Sequence, residues 1–326
     1  MRAVLCKSFG PPDSLVLEEV ESPPLGDREV RIAIHSAGVN YPDLLLIQGL
    51  YQSQADFPFA PGMEVAGTVS EIGDRVEGVT IGDRVIAPLP HGGYADEAVA
   101  PAAALIPVPE RMDLGIAGGY AMTFTTGYHA LVQRGNLQPG ETLLVHGASG
   151  GSGLAAVQIG KALGARVIGT GGDDEKLRKV TELGADEVVN YRTNKIRAAV
   201  KELTDGVGAD VIFDPVGGDI FDESLRSIAW GGRLLVIGFT GGRIAEAPTN
   251  RILLKGCSVV GVFSGAFVMR ENRKHRDNVE VLNRWYDEGL LSLHVSRTLP
   301  LELAHEALEG LRDRKIVGKW VLSTGR

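Results

Sequence analysis

The sequence predicts an α/β protein in which a doubly wound parallel sheet is inserted into a smaller, partly open β-barrel domain. From about residue 122, short apolar runs alternate with helical patterns, which is typical of a parallel sheet covered by helices on both faces. Before that point, short strand-like stretches are separated by turns rich in Gly, Pro and Asp, which is typical of a small antiparallel barrel.

Length and composition agree with two globular domains. The 326 residues exceed what one hydrophobic core usually serves, and 44% hydrophobic with 23% charged residues is an ordinary composition. A net charge of −8 without a basic stripe argues against a nucleic-acid partner. Cys6 and Cys257 are too few for a disulfide framework or a four-cysteine zinc lobe. The N-terminus lacks a signal core and no apolar run approaches membrane-spanning length, so we expect a cytoplasmic protein without a membrane partner.

The first domain is predicted to cover residues 1–121 and to consist mainly of strands. The stretch Glu29-Val-Arg-Ile-Ala-Ile-His35 alternates polar and apolar residues, which predicts a half-buried strand. A helical pattern covers residues 42–48. The strand candidates are residues 2–7, 15–20, 29–35, 65–72, 84–87 and 94–99.

The second domain is predicted to cover residues 122–264. Its six strand candidates are residues 142–146, 166–170, 187–190, 210–214, 233–238 and 258–263. The helices between them are predicted at residues 151–163, 174–183, 195–203 and 220–228. The tail, residues 265–326, has helical patterns at 272–288 and 301–311 and a closing strand at 319–322. Because this tail is too short for its own core, it is predicted to return to the first domain.

A glycine cluster, Ala148-Ser-Gly150-Gly-Ser-Gly153, joins the first strand of the parallel sheet to its first helix. Gly150 lets the backbone approach a pyrophosphate, and Gly153 lets the helix pack close to the strand. The N–H groups and the positive dipole end of the helix face the same place. Taken alone, the cluster also fits an ordinary tight turn. Its position after the first of six strands favours a dinucleotide site.

Further motifs are spread along the whole chain. They are Ala37-Gly-Val-Asn-Tyr-Pro-Asp43, Pro61-Gly-Met-Glu-Val-Ala-Gly67, Gly82-Asp-Arg-Val85, Leu183-Gly-Ala-Asp-Glu-Val-Val-Asn-Tyr191 and Gly318-Lys319. Together with the glycine cluster they resemble the medium-chain dehydrogenases/reductases, and within them the zinc-independent NADPH:quinone oxidoreductases, the group that includes zeta-crystallin. The resemblance implies a GroES-like catalytic domain interrupted by an NADPH-binding Rossmann domain.

The residues that replace the zinc ligands of related alcohol dehydrogenases indicate a site without metal. A zinc-dependent member would carry Cys where Asn40 stands and His where Met63 stands, and only Glu64 of that pattern remains. An amide and a thioether are not plausible zinc ligands beside one carboxylate, and catalytic zinc needs three protein ligands. The histidines that could regroup around a metal are His35, His91, His129 and His146. Their spacing matches no metal motif, so hydride delivery to an already electrophilic acceptor is expected.

The end of the second strand of the parallel sheet indicates the cofactor. An NAD enzyme places Asp or Glu there to accept the ribose hydroxyls, whereas this strand ends at Gly171 followed by a second glycine. By the resemblance, Lys176 and Tyr191 hold the 2′-phosphate of NADPH, as a point charge and a hydroxyl donor. Asp173 or Asp174 remains an alternative contact for a ribose. The sequence therefore favours NADPH.

The other cofactor contacts follow from the resemblance and from the expectation that a dinucleotide lies at the carboxyl ends of the strands. Ser152 replaces the usual Val of the turn, so looser or wetter packing against the nicotinamide is expected, and Lys319 is expected to reach a phosphate. The full set, besides Lys176 and Tyr191, is Asn40, Asp43, Thr126, Ser149, Gly150, Gly151, Ser152, Gly153, Thr170, Gly171, Val216, Gly238, Phe239, Thr240, Phe263 and Lys319.

The catalytic acid is predicted from a second resemblance. The quinone reductases often carry a Tyr two residues after the position of Asp43, where this chain has Leu45. The segment Ile47-Gln-Gly-Leu-Tyr51 instead resembles the one that bears the proton-donating Tyr of the 2-enoyl thioester reductases. Tyr51 is therefore predicted as substrate contact and acid, with simple aromatic packing at the site's edge as the alternative.

Three functions remain open at this stage. The first is an NADPH-dependent reductase of quinones or other α,β-unsaturated carbonyls, in which water can protonate the product and positioning supplies most of the catalysis. The second is a 2-enoyl thioester reductase. The third is an NADPH-binding structural or scaffold protein of the crystallin type. The apolar strand at residues 258–263 falls late in the sheet, and the resembling family is commonly dimeric, so a homodimer is predicted.

Overall fold

A computed structural model describes residues 1–326 and divides them into two compact units. The first unit contains Met1–Met122 and Leu293–Arg326, and the second contains Thr123–Ser292. The predicted insertion of one domain into the other is therefore present, and its start lies within one residue of the prediction. Which chemistry each unit performs stays a prediction at this point.

The chain forms fifteen strands and eleven helices, together with a few shorter turns of helix. The strands are β1 (Arg2–Leu5), β2 (Val16–Glu19), β3 (Glu29–Gly38), β4 (Glu64–Ile72), β5 (Arg84–Pro88), β6 (Glu97–Pro101), β7 (Ile106–Pro107), β8 (Thr142–Val145), β9 (Arg166–Gly171), β10 (Glu187–Asn190), β11 (Ala209–Asp214), β12 (Ile228–Val236), β13 (Ser258–Gly261), β14 (Val295–Pro300) and β15 (Lys319–Ser323). The helices are α1 (Tyr41–Ile47), α2 (Leu114–Ala117), α3 (Ala121–Tyr128), α4 (Gly151–Ala162), α5 (Asp174–Glu182), α6 (Ile196–Leu203), α7 (Gly218–Ser227), α8 (Thr249–Lys255), α9 (Ser264–Arg270), α10 (Asn272–Asp287) and α11 (Ala304–Arg312).

The first unit is built on a seven-stranded, mainly antiparallel sheet. Its order is β14-β15-β3-β4-β5-β7, with β6 paired to β3, and only β14 and β15 run parallel. Strands β1 and β2 form a separate antiparallel pair. Because β3 is long and its apolar side chains are buried, it can pair with β4, β6 and β15 and hold the barrel-like sheet together. The end of β3 leads directly into α1, which begins the polar cluster described below.

The second unit contains the predicted parallel sheet, in the order β10-β9-β8-β11-β12-β13. The chain leaves the central strand β8 towards β9 on one side, and later returns to its other side with β11. This reversal of strand order is the place where nucleotides bind in doubly wound sheets, and the glycine cluster follows β8 directly. The central strands β8 and β11 are mostly apolar and buried, as expected for a sheet covered on both faces. The predicted α/β fold class is therefore confirmed.

The predicted return at residue 265 is wrong for α9 and α10, which lie in the second unit. The inner face of α10 is formed by buried Asn278, Val279 and Leu282. Asn278 exchanges hydrogen bonds with Gln133, at 2.9 and 3.2 Å, and both residues belong to the second unit. The helix was correctly predicted, but its packing partner is more than a hundred residues away in sequence. The chain therefore re-enters the first unit only after Ser292.

The structure also contains elements that the sequence pattern did not indicate. Strand β14 pairs with β15 at the edge of the first sheet, and α8 and α9 flank β13. Most residues of β14 are exposed, so its sequence lacks the apolar alternation of a half-buried strand. No helix of the chain is both long enough and apolar enough to cross a bilayer.

Candidate functional site

The turn after β8 forms a cradle of backbone N–H groups. Helix α4 begins after Gly150, no side chain caps its first turn, and no acidic residue lies in that turn. Its first N–H groups are therefore available to an anion, and the helix dipole favours one. A Cβ on Gly153 would lie 2.7 Å from the Cα of Ala148, so only glycine allows this close packing. A Cβ on Gly150 would meet only the Gly147 oxygen, at 3.4 Å, so the face of the turn at Gly150 is open.

Three other predicted contacts belong to the same turn. Ser149, Gly151 and Ser152 are each half-buried. Ser152 follows Gly151 in the first turn of α4. The arrangement fits the pyrophosphate of a dinucleotide.

A buried histidine supports this turn from beneath. The Nδ1 of His146 lies 2.8 Å from the Thr170 hydroxyl, and its Nε2 lies 2.9 Å from the Ser224 hydroxyl. Because Ser224 donates its own proton to the Ile220 carbonyl at 2.8 Å, it accepts from His146, which places the ring proton on Nε2. Burial lowers the pKa of His146 and keeps the ring neutral. The sequence pattern did not indicate this role.

The same bond fixes the side chain of Thr170, one of the predicted cofactor contacts. Thr170 is fully buried and its hydroxyl is engaged by His146, so its side chain supports the turn from inside the sheet. The Thr170 carbonyl also accepts from the Ala148 N–H at 3.0 Å. Thr170 therefore shapes the turn, and its contact with a cofactor stays a prediction.

The end of β9 carries no carboxylate, and a tyrosine ring lies beside it. The Gly171 carbonyl accepts from the Tyr191 N–H at 3.0 Å, and a Cβ on Gly172 would lie 2.9 Å from the Tyr191 hydroxyl oxygen. Glycine at position 172 thus makes room for this ring. Tyr191 remains 39% exposed.

Both acidic alternatives at this point have structural partners. Asp173 caps α5 by accepting from the Lys176 N–H at 3.0 Å. Asp174 accepts from the Asn190 side-chain amide at 2.7 Å. The carboxylates that could have served a ribose are therefore used to fix the start of α5 and the loop after β10.

Two cations, Lys176 and Arg192, influence each other near the end of β9. Burial and the positive charge of Arg192 lower the pKa of Lys176, against the influence of Asp173. Arg192 is exposed and also lowers the pKa of Asp173. Like charges brought together favour a bound anion, since the anion relieves their repulsion. Sequence reasoning missed Arg192, although its place directly after Tyr191 was an available signal.

The loops after β11 and β12 bring the remaining predicted contacts of the second unit together. The N–H groups of Val216 and Gly217 donate to the Asp214 carboxylate at 2.8 and 2.9 Å. The Thr240 N–H and hydroxyl both donate to the Pro215 carbonyl at 3.0 Å, which ties one loop to the other.

The other predicted contacts in these loops are more accessible. Gly238 is half-buried, while the rings of Phe239 and Phe263 are 38% and 60% exposed. Thr126, on α3, is half-buried. Their contact with a cofactor stays a prediction.

The first unit contains a buried polar cluster at the start of α1. The side-chain amide of Asn40 donates to Glu64 Oε1 at 3.0 Å, and its oxygen accepts from Lys319 Nζ at 2.7 Å. Glu64 and Lys319 also pair directly at 3.0 Å, with their side chains 0% and 4% exposed. The second oxygen of Glu64 accepts from the Met122 N–H at 2.9 Å. Both faces of the Asn40 amide and both oxygens of Glu64 are therefore occupied.

In this structure Lys319 is part of the buried cluster. Its ammonium group donates to the Val39 carbonyl at 2.9 Å as well as to Asn40 and Glu64, so all three of its N–H groups have acceptors. The contact of Lys319 with a phosphate stays a prediction, and in this structure its ammonium group is engaged within the cluster. The position of Lys319 in the sequence did not indicate that its side chain is buried.

Asp43 completes the cluster from the first turn of α1. One of its oxygens, Oδ2, accepts from the Asn40 N–H at 2.8 Å and from the Tyr94 hydroxyl at 3.0 Å. Its other oxygen, Oδ1, is buried without a hydrogen-bond partner. Burial raises the Asp43 pKa to about 7, while Asn40, Lys319 and Tyr94 oppose the rise and Glu64 adds to it.

The donor set at the position of the related zinc site does not suit zinc. Met63 offers a buried thioether, and the Asn40 and Glu64 oxygens are bound to an ammonium group and N–H donors. No group of three or more His, Cys, Asp or Glu side chains in the chain is placed to hold a metal ion.

Tyr51 lies after α1 and is half-buried against the hydrophobic core of the first unit. Burial and the charge of Asp43 raise the pKa of Tyr51, so its phenol remains protonated near neutral pH. A protonated phenol can donate a proton, as the prediction requires. Leu45 on α1 is also half-buried and offers no such group.

Comparison with known proteins identifies both units. The family profile described as "Alcohol dehydrogenase GroES-like domain" matches residues 26–110, and the one described as "Zinc-binding dehydrogenase" matches residues 151–280. A Nematostella vectensis protein named "Quinone oxidoreductase-like protein 2 homolog" is 39% identical, over 99% of this chain and 89% of its own. The Homo sapiens "Quinone oxidoreductase" is 32% identical, over 99% of this chain and 97% of its own.

A solved structure agrees with the sequence relatives. The quinone oxidoreductase of Escherichia coli, crystallised with NADPH, superposes with a TM-score of 0.93 at 27% identity, covering 99% of this chain and 100% of that chain. The similarity thus extends over both units and over the full length of that enzyme.

Proposed function

The chain belongs to the quinone oxidoreductases of the medium-chain dehydrogenase/reductase family, and we propose that it transfers a hydride from NADPH to a quinone or another α,β-unsaturated carbonyl without a metal ion. Membership of this family makes it an oxidoreductase. The cofactor and the acceptor class are argued below from this chain's own residues.

The observation that carries the NADPH proposal is the end of β9. A carboxylate there would repel a 2′-phosphate, whereas this chain has Gly171 and Gly172. Lys176, Tyr191 and Arg192 offer two positive charges and a hydroxyl donor next to that point. The E. coli relative was crystallised with NADPH, which agrees with this reading. When bound, NADPH supplies the hydride, and the N–H groups at the start of α4 hold its pyrophosphate.

The acceptor class follows from the polar cluster of the first unit. Alcohol oxidation in related enzymes depends on a Lewis acid that stabilises an alkoxide. Here Asn40, Glu64 and Lys319 saturate one another, so the chain offers no comparable ligand set. An acceptor that already accepts electrons readily, such as a quinone or an enone, needs no such activation. The names of the relatives support the quinone.

Tyr51 supports a second candidate, reduction of a 2-enoyl thioester. Hydride addition to an enoyl group leaves a carbanion that needs a proton, and a positioned phenol can supply it. Tyr51 is half-buried and its pKa is raised by burial and by Asp43. Quinone reduction depends less on such an acid, because water can protonate the hydroquinone anion.

The proposal is tested by the oxidation of NADPH with a panel of small quinones, enones and crotonyl thioesters. We expect turnover with quinones and enones, and slower turnover with NADH. The Tyr51→Phe variant should lose far more activity with the thioester than with quinones, and an equal loss with both would contradict the role of Tyr51. Tight NADPH binding without turnover of any acceptor would favour the scaffold function.

We also propose a homodimer formed through β13. This strand is at the edge of the parallel sheet, as its sequence suggested. Large apolar side chains on and near α8 and α9 are exposed, including Trp230, Leu253 and Met269, each at least 78%. An open strand edge beside exposed apolar side chains is typical of a surface that pairs with another copy.

A further inference from the structure

A chain of three buried polar side chains lies beneath the glycine turn of the second unit. His146, Thr170 and Ser224 are all fully buried, and the neighbouring strands β8 and β11 are mostly apolar. A polar side chain in such surroundings costs free energy unless its hydrogen bonds are made. Because an apolar residue would fill the same space without this requirement, packing alone does not account for a histidine at position 146.

The hydrogen bonds of this chain all run in one direction. The Ser224 hydroxyl donates to the Ile220 carbonyl at 2.8 Å, so it accepts from the Nε2–H group of His146 at 2.9 Å. The unprotonated Nδ1 of His146 then accepts from the Thr170 hydroxyl at 2.8 Å. Only the neutral ring with its proton on Nε2 makes both bonds, and the two bonds together fix the ring.

The chain joins the two sides of the point where the strand order reverses. Thr170 belongs to β9, on one side of β8, and Ser224 belongs to α7, which follows β11 on the other side. His146 comes directly after β8 and contacts both. The turn after β8 and the loop after β11 also approach each other, since a Cβ on Gly147 would lie 3.4 Å from Val216 Cγ2. A dinucleotide on a doubly wound sheet binds in the crevice between these two connections.

Each end of the chain is tied to the backbone of one of these two connections. The Thr170 carbonyl accepts from the N–H group of Ala148, the first residue of the glycine cluster, at 3.0 Å. The Ile220 carbonyl lies in the first turn of α7, which begins directly after Gly217 in the loop that follows β11. A displaced His146 ring would therefore change the spacing between the glycine turn and the start of α7.

We propose that His146 is a positioning residue for NADPH, which sets the spacing between the glycine turn and the loop after β11. This inference rests on the proposed function, because NADPH is taken as the ligand. His146 is fully buried and acts on the cofactor only through Ala148 and α7. Its loss therefore weakens the binding of NADPH and has little effect on turnover once the cofactor site is filled.

The double variant His146→Leu with Thr170→Val separates positioning from stability. It replaces the ring and one hydroxyl by apolar groups, while Ser224 keeps its bond to the Ile220 carbonyl, so none of these side chains is left with an unpaired polar group. Urea unfolding should therefore give a stability close to that of the native protein. A fluorescence titration should show a Kd for NADPH that is about tenfold higher or more. Native affinity in this variant would overturn the inference.

The Ser224→Ala variant keeps the test decisive if the double variant fails to fold. It removes the acceptor of the His146 Nε2–H group and leaves the bond between His146 and Thr170 in place. Ser227→Ala is the matched control, because Ser227 is buried on the same helix and its hydroxyl also donates to the carbonyl four residues earlier, at 2.8 Å. Ser227 has no bond to His146.

Steady-state kinetics with a quinone compare these two variants. In Ser224→Ala, KM for NADPH should rise about fivefold or more, while kcat at saturating NADPH stays within about twofold of the native value. Both constants should be unchanged in Ser227→Ala. An equal rise of KM in the two variants, or a loss confined to kcat, would contradict a positioning role of His146.

The fluorescence titration needs no acceptor, so it distinguishes a failure of this inference from a failure of the proposed function. If the native protein binds NADPH but reduces no acceptor, the reductase proposal fails, and weaker binding in the variants still supports the role of His146. If the native protein does not bind NADPH, the inference and the proposed function are overturned together.

Discussion

Lys319 illustrates, at the scale of single residues, how burial decides a role that position alone suggests. The resemblance led us to expect that Lys319 reaches a phosphate, but its ammonium group donates to Val39, Asn40 and Glu64. The same holds for Thr170, whose hydroxyl serves His146. From residue type and position in the motifs, both Lys319 and Thr170 were predicted to lie at the cofactor site. The direction of each side chain depends on non-local packing, which a single sequence does not display.

Lys176 and Arg192 give the first residue-scale prediction. Lys176→Ala and Arg192→Ala should each lower kcat/KM for NADPH about tenfold or more and leave that for NADH nearly unchanged, because each removes a charge from the 2′-phosphate. Steady-state kinetics with both cofactors checks this. Arg178→Ala, an exposed charge on the same helix, serves as the control. If the ratio of kcat/KM for NADPH to kcat/KM for NADH is unchanged in Lys176→Ala, the assignment of Lys176 to the 2′-phosphate is wrong.

Asp43 gives a prediction about stability and pH. Its pKa rises from 3.8 to about 7 on folding, so the native state binds more protons than the unfolded state between these values. Stability from this group is full below about pH 4 and is lost as the pH rises towards 7. A pKa difference of about three units corresponds to about 4 kcal/mol of pH-dependent stability, at about 1.4 kcal/mol per unit.

Urea unfolding of the native protein and Asp43→Asn at a series of pH values measures this effect. Relative to the native protein, the variant should gain stability between about pH 4 and pH 7 and then stay level. If the difference in unfolding free energy between Asp43→Asn and the native protein does not change with pH, Asp43 titrates normally in the folded protein.

The turn between β8 and α4 gives the prediction at the scale of elements. Gly153→Ala should destabilise the protein by about 1–3 kcal/mol, because the added Cβ meets backbone atoms of Gly147 and Ala148 that cannot move aside. Gly150→Ala should leave stability nearly unchanged, since its backbone angles suit alanine and the space is open, but should weaken NADPH binding.

Urea unfolding and a fluorescence titration with NADPH compare the two variants. Gly153→Ala is expected to lose stability, and Gly150→Ala is expected to lose affinity for NADPH. Equal affinity in Gly150→Ala and the native protein would argue against a pyrophosphate at this turn.

The elements were largely predictable where local pattern and packing agree. The six strands of the parallel sheet follow short apolar runs; α4 and α5 begin at the predicted residue, and α6 and α7 begin within two residues of it. Strand β14 was missed because it is an exposed edge strand without an apolar face. Helix α10 was predicted, but the unit it joins was not, because its contact with Gln133 spans much of the chain.

The dimer is the prediction at the scale of the whole molecule. If β13 pairs with a second copy, Leu253→Asp together with Met269→Asp should shift the protein to monomers, because two charges would be buried in the interface. Analytical ultracentrifugation at micromolar concentration measures this. The pair Ile81→Asp and Val207→Asp, at exposed positions outside β13 and its flanking helices, is the control. A native protein that sediments only as a monomer would refute the dimer.

At this scale the sequence predicted the two-domain plan, the parallel sheet and the family, because motifs spread over the whole chain carry them. The site was predicted as a set of residues, and its chemistry emerged only from their contacts. Asn40, Glu64 and Lys319 form one saturated cluster, and Asp43 is left with an unpaired oxygen. These facts depend on how β3, β4 and β15 meet, which no local pattern encodes.

The most direct test of the central claim is turnover of NADPH deuterated at C4 by protein that has been depleted of metal with a chelator. With a quinone and an enone as acceptors, we expect an undiminished rate, a deuterium isotope effect and deuterium at the β-carbon of the reduced enone. A rate that vanishes on metal depletion and returns with Zn²⁺, or no oxidation of NADPH by any acceptor, would contradict the account.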